Sequence, residues 1–300
     1  MSDFRRKLMV ASVGGGEIMK NKYLTFDIVT DGTILWKLSN ASGRAKTISY
    51  RKNNGSWTSI TSSTSGASIS VSAGDKVQFK GNNTEYGTSA SYYSCFGGTA
   101  KFKASGNIMS LIGGDNFSGL TTLSAQYAFV SLFRNSNVIS AINLIIPATT
   151  LATFCYDSMF RDCTSLTTAP ELPATTLASS CYNNMFYGCW SLTTAPELPA
   201  TTLATYCYQF MFYLCTSLTT APELPATTLA NNCYKNMFYG CSNLNYIKAM
   251  FVTTPSSSYT SDWVKGVAAS GTFVKNSAAT WSGTGVNSIP SGWTVRTASF

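Results

Sequence analysis

What most constrains the fold of this chain is a 26-residue period. Residues 151–176 read LATFCYDSMFRDCTSLTTAPELPATT, residues 177–202 read LASSCYNNMFYGCWSLTTAPELPATT, and residues 203–228 read LATYCYQFMFYLCTSLTTAPELPATT. A fourth copy starts at Leu229 and decays after Leu244. A unit this short cannot enclose its own apolar side chains. Each copy must therefore bury them against its neighbours, in one continuous stacked core.

Numbered from the leucine, positions 1, 2, 5, 6, 9, 10 and 13 hold Leu, Ala, Cys, Tyr, Met, Phe and Cys in all four copies. Positions 3, 4, 7, 8, 11 and 12 vary. Apolar residues at i, i+1, i+4, i+5, i+8 and i+9 match one face of a helix, which predicts about three turns of helix in each copy. The rest of the unit reads differently. Ser165-Leu166-Thr167-Thr168 is β-prone, and Pro170 and Pro173 forbid helix and force an extended path. The expected fold class is thus an α/β solenoid on the leucine-rich-repeat plan, with 26-residue coils of strand, extended turn and helix. A degenerate coil around Tyr127, Phe129, Phe133 and Val138 precedes the clean ones, and residues 108–123 read as a further worn coil.

The flanks carry other patterns. Residues 23–29, 33–38, 47–52, 68–71 and 76–80 are strand-like, with Asp31-Gly32, Asn54-Gly55 and Gly74-Asp75 marking turns between them. They predict a separate N-terminal all-β sandwich over residues 23–103, followed by the solenoid over 104–246 and a C-terminal cap over 247–300. Trp263, Val264, Val267, Phe273 and Val274 are the residues expected to close the last coil. Residues 1–22 read as a docking peptide or flexible arm, in which Phe4, Arg5, Arg6, Lys7, Leu8 and Met9 precede a Gly14-Gly15-Gly16 hinge. Trp36 and Trp57 fit two roles, a sugar-stacking plate or a core filler, of which the core filler is the commoner.

Composition narrows the function. Charged residues make up 11% of the chain, well under the roughly 25% of an average soluble domain. The net charge of +8 is concentrated in residues 1–150, with 15 basic and 7 acidic side chains. Those charges are scattered, as on a solvated β-surface, and no nucleic-acid partner is expected. The chain has no histidine, so the usual agent of acid–base catalysis and the commonest metal ligand are both missing. No secretory signal is legible, and no apolar run reaches the length of a membrane span, so no membrane insertion is expected.

Eight of the nine cysteines fall at positions 5 and 13 of the copies, with no Cys-x-x-Cys pair. Zinc is not expected. Two helical turns put Cys155 and Cys163 about 12 Å apart, beyond disulfide reach. Equivalent cysteines on adjacent coils leave two arrangements, cross-coil bridges or two reduced ladders, and synthesis in a cytoplasm favours the ladders. Glu171, Glu197 and Glu223 recur in register as an exposed loop edge, and threonine pairs at 167–168, 193–194 and 219–220 form further ladders. No phosphate loop, nucleophile motif or distinguishable carboxylate pair is present, so neither an enzyme nor a cofactor is expected.

The run Pro-x-x-x-Leu-Ala-x-x-Cys-Tyr-x-x-Met-Phe-x-x-Cys-x-x-Leu resembles the BspA-like leucine-rich repeats, over about residues 105–247. It looks most like the long-period variants of gut Bacteroides and their phages. The opening Phe-Arg-Arg-Lys-Leu-Met and the segments 271–274 and 289–295 are similar to ends of the same proteins. The resemblance implies a surface-binding protein without catalysis. It points to a virion fibre or tip component that adheres to a bacterial surface glycan or protein. Such a component is made in the host cytoplasm and joined to other virion proteins through the N-terminal arm. A bacterial surface adhesin and a structural capping or decoration protein without ligand are the alternatives. Expected contact residues are the variable aromatics that break the repeat, Phe154, Trp190, Tyr206 and Phe210, with Tyr187, Tyr213 and Tyr239 extending the stripe. Packing within a homo-oligomer accounts for the same residues.

Overall fold

The computed structural model describes residues 20–299. The docking-arm residues Phe4 to Met9 lie outside that range. Alternation of buried and outward residues builds two N-terminal sheets. One has the order β10-β9-β1-β6-β3-β4, formed by β1 (Leu24–Ile28), β3 (Thr47–Lys52), β4 (Thr58–Thr61), β6 (Lys76–Lys80), β9 (Phe102–Asn107) and β10 (Val138–Ile145). The other has the order β5-β2-β8-β7, formed by β2 (Gly32–Leu38), β5 (Ala67–Val71), β7 (Gly87–Ser89) and β8 (Tyr92–Gly98). They meet through aromatic rings. Phe96 lies 4.8 Å from Phe26, edge-on, and 4.8 Å from Phe79, while Phe26 stacks on Phe102 at 4.1 Å.

The α/β solenoid expectation fails. Within residues 151–245 no residue is helical. Between residues 21 and 299 helix is confined to two single turns, Ser110–Gly113 and Ser257–Thr260. The short strands expected in each copy do not join into a parallel sheet either. They meet only as isolated bridges, such as Thr168 with Thr194 and Thr176 with Thr202. Most of the regular structure is strand, in several small sheets.

The reason lies in the period. A helix turns 100° per residue, so residues four apart drift by about 40°, and over the twelve steps from Leu151 to Cys163 the inward set would swing by about 120°. A pattern that repeats every four residues without drift needs a backbone that itself repeats every four. The structure provides one. Phe154, Ser158 and Asp162 all have φ between 57° and 59°, as do their counterparts in each copy at similar values. Between these left-handed residues the chain makes successive tight turns. Asp157, Met159 and Arg161 donate their amides three residues back, to Phe154, Tyr156 and Ser158. The alternate amides leave the unit. Tyr156, Ser158 and Phe160 donate to the carbonyls of Cys181, Asn183 and Met185 in the next copy, at 3.0, 2.9 and 2.9 Å. The same scheme joins each copy to the following one, and the last to residues 258–265.

Fixed register turns each invariant position into a column. Phe133, Phe160, Phe186, Phe212 and Phe238 stack at 5.0 to 5.7 Å. Phe129, Tyr156, Tyr182, Tyr208 and Tyr234 stack beside them at 5.7 to 6.1 Å. Both columns end on Trp263. At the other end Phe133 stacks on Phe96 at 5.7 Å. The N-terminal β-layers are therefore not separate from the repeats: β10, from the degenerate coil, pairs in parallel with β9, and one core runs from Leu24 to Trp293. Past the fourth copy, β11 (Tyr246–Ala249), β12 (Thr272–Asn276) and β13 (Thr294–Ala298) form a three-stranded parallel sheet.

All nine cysteines are unbridged and buried. Those at position 13 have a bonding role. The thiols of Cys163, Cys189, Cys215 and Cys241 donate to the carbonyls of Phe133, Phe160, Phe186 and Phe212 in the preceding unit, at 2.9 to 3.1 Å. Burial pushes the thiols of Cys155, Cys163, Cys233 and Cys241 up to about 12. Thiolate is the reactive form, so the folded protein should leave its eight repeat cysteines unmodified by iodoacetamide at pH 8, and full alkylation should require denaturant. Rapid labelling of the native chain, read by intact mass, would contradict this.

The columns also predict opposite outcomes for two ring substitutions. Phe186→Ala empties a site stacked on both sides and should cost about 3–5 kcal/mol in urea unfolding. Tyr182 buries its hydroxyl with no hydrogen-bond partner. Tyr182→Phe should therefore be neutral or stabilising by about 1 kcal/mol.

Candidate functional site

Because positions 4, 8 and 12 must be left-handed, they need residues that tolerate positive φ, and each side chain there projects from a tight turn. Asparagine, serine and glycine meet the requirement in most places: Ser180, Asn184 and Gly188 in the second copy, and Asn232, Asn236 and Gly240 in the fourth. The third copy has Tyr206, Phe210 and Leu214, at φ of 58°, 54° and 58°. A bulky L-residue in this region costs roughly 1–2 kcal/mol. One unit thus carries three strained, half-buried apolar side chains where its neighbours show that cheaper residues suffice. Phe154 in the first copy is strained in the same way.

Position 11 forms a row next to them. Tyr187, Tyr213 and Tyr239 stack face to face at 4.6 and 4.7 Å, with rings 5° and 11° from parallel. Phe210 meets Tyr213 edge-on at 5.7 Å. A cation closes each end of the row: Arg161 lies 4.2 Å from the Tyr187 ring centre and Lys265 lies 5.4 Å from that of Tyr239. Asp162 and Asp262 hold these cations at 3.4 and 3.8 Å. The tyrosine faces are taken up by one another, so the row offers ring edges and hydroxyls to solvent. Desolvation, and then the neighbouring Tyr187 and Tyr239, raise the Tyr213 hydroxyl above its ordinary value. It stays a neutral donor at physiological pH.

The seven aromatics expected as contacts do not form one patch. Tyr187, Tyr213, Tyr239 and Phe210 come together. Phe154 lies at the sandwich end and stacks on Tyr127 at 4.9 Å. Tyr206 and Trp190 stack on no other ring among the described residues. Trp190 is 54% exposed, beyond the position-13 cysteine, and its backbone carbonyl accepts from Ser217 and Thr216 of the next copy. Sequence reasoning missed Leu214, Arg161 and Lys265. The signal for Leu214 was available, as a leucine at a position otherwise held by Asp or Gly. Its side chain lies over Gly240, where an added Cβ would come within 2.5 Å of Leu214 Cδ2. Arg161 and Lys265 are recognisable only once position 11 is known to be a column.

Comparison with known protein families, curated proteins and solved structures returns no match. The BspA-like resemblance therefore rests on its motif alone. No helix among the described residues is long and apolar enough to cross a membrane. Glu171, Glu197 and Glu223 are all exposed in their ladder, and Glu223 also pairs with Lys248 at 2.7 Å.

One carboxyl group lies buried among the described residues of the repeats. Asp157 accepts from the Ser158 hydroxyl at 2.7 Å and from the Asn183 amide at 3.4 Å. Desolvation outweighs these bonds and the nearby Arg161, and raises its pKa. The folded state therefore holds this proton to higher pH than the unfolded state does. The site's contribution to stability falls as pH rises from about 3.9, the unfolded value, through the raised folded one. Asp157→Asn should melt close to the parent at pH 3 and above it at pH 7. A lower melting temperature at pH 7 would contradict the assignment.

Proposed function

We propose that this chain is a non-enzymatic recognition protein that adheres to a bacterial surface glycan or protein through the outward face of its third repeat. Tyr206, Phe210 and Leu214 form the centre, and the tyrosine row from Arg161 to Lys265 forms the flank. The observation that carries this reading is the backbone strain. Three bulky residues sit at left-handed positions that asparagine or glycine fills at lower energy, and strain of this kind is retained where a site uses it. A purely structural decoration protein has no need of it. Apolar centres rimmed by aromatic hydroxyls and arginine are the composition of binding hot spots.

The motif resemblance supports carriage on a phage particle, with the arm at residues 4–9 joining other virion proteins. On that reading the repeats serve as a rigid rod that presents the specialised third unit.

The test exploits the energetics. Tyr206→Asn and Phe210→Asn convert the third copy to residues its neighbours use, so the double variant should melt at or above the parent temperature. Purified parent protein, fluorescently labelled, should adsorb to a subset of a panel of gut Bacteroides strains, and the double variant should bind those strains at least tenfold more weakly. Undiminished adsorption by the variant, or adsorption of the parent to no strain, would refute the proposal. A parent that self-associates in sedimentation while the variant does not, with adsorption unaffected, would make the face an oligomer contact instead.

A further inference from the structure

A second site lies on the N-terminal β-layers, on the face turned away from their core. In β1, β3 and β6 the inward residues Leu24, Phe26, Ile48, Val77 and Phe79 are buried, so the alternate residues face outward. On that outer face, five segments bring six side chains together. Tyr23 comes from the start of β1, Arg51 from β3, Trp57 from the turn before β4, Gln78 and Lys80 from β6, and Asp115 from the loop after the first helical turn. The half-buried indole of Trp57 meets Tyr23 edge-on at 5.0 Å. Two cations lie over that same indole, Lys80 at 4.5 Å and Arg51 at 4.8 Å from the ring centre.

The charges do not balance. Lys80 is paired, with both carboxylate oxygens of Asp115 at 2.8 and 2.9 Å, and the Tyr23 hydroxyl donates to the same carboxylate at 2.7 Å. Arg51 donates its Nε to the neutral Gln78 Oε1 at 2.7 Å and forms no ion pair with any described carboxylate. Its terminal nitrogens are left beside a second cation, on an aromatic plate that the β-layers do not need for their core. Arginine with two free N–H groups matches a carboxylate in bidentate geometry. A partly open aromatic plate with a few fixed polar groups at its rim is the pattern that orients a small polar ligand with an apolar face. A sugar ring has such a face in its C–H bonds, and a uronic acid adds the carboxylate.

We propose that Trp57, Arg51 and the rim formed by Tyr23, Gln78, Lys80 and Asp115 bind a carboxylated saccharide, its ring on the indole and its carboxylate on Arg51. This site is independent of the repeat face. Isothermal titration of the full chain with tetragalacturonate, maltotetraose and tetraglutamate tests it. Tetragalacturonate should bind, more weakly as salt rises, and maltotetraose at least tenfold less tightly. Trp57→Ala and Arg51→Gln should each weaken tetragalacturonate at least tenfold, while Trp57→Phe, which keeps a plate, should retain most of the affinity and control for folding. Tyr213→Ala should leave it unchanged, so that failure here and failure of the repeat face are separable. No binding of tetragalacturonate, equal binding of tetraglutamate, or indifference to Trp57→Ala would overturn the proposal.

Discussion

Every second amide in the turn segment finds its acceptor in the neighbouring unit, and the rest of the structure depends on that arrangement. The amides of Tyr156, Ser158 and Phe160 cannot bond within their own coil, because each is directed outward by the left-handed residue that recurs every fourth place. An isolated copy would leave these groups bare. Stacking satisfies them, and it does so in only one register, because shifting by a residue would place inward-facing rings opposite outward ones. The phenylalanine and tyrosine columns, the thiol-to-carbonyl bonds and the merger of the first coil with the β-layers all follow from that fixed register.

The repetition was legible in the sequence, and so were most of the inward residues: Cys155, Tyr156, Met159, Phe160 and Cys163 are all buried, as are their equivalents in the other copies, whereas Leu151, expected inward with them, and its equivalents are only half-buried. The backbone that carries them was misread, because a four-residue period lies close to the helical 3.6 and the two diverge only over several turns. The absence of drift between Leu151 and Cys163 was the discriminating signal. Asn184, Asn232, Asn236, Gly188 and Gly240 at every fourth place pointed the same way, since these residues tolerate positive φ. Five strands of the N-terminal layers could be read from β-prone runs between turn residues, as in β2 and β6, but β8 and β9, of similar length, were not. The short β4 and β7 and the pairing of β10 with β9 depend on tertiary packing and leave no local trace.

The candidate site was half visible. Aromatics that break a repeat stand out, but sequence weighs Phe154, Trp190, Tyr206 and Phe210 alike. The structure separates them, because it shows which occupy strained turns, which stack on a neighbour and which stand alone. Of the two roles open to Trp57, the core filler is the commoner, yet it lies on the outer face of the sheet with two cations over its ring. That placement depends on how the turn before β4 folds back over β3 and β6, which no spacing rule reports.

A regular stack tolerates variation on its outer positions so long as the four-residue backbone is kept, so that one unit can be specialised while its neighbours hold the register. The most direct test of this account is backbone assignment by NMR and the pattern of 13Cα and 13Cβ secondary shifts across residues 177–190. A shift pattern that repeats every four residues, broken by left-handed values at Ser180, Asn184 and Gly188, is the predicted result. An unbroken run of helical shifts through the same residues would contradict it, and with it the strain on which the proposed recognition face rests.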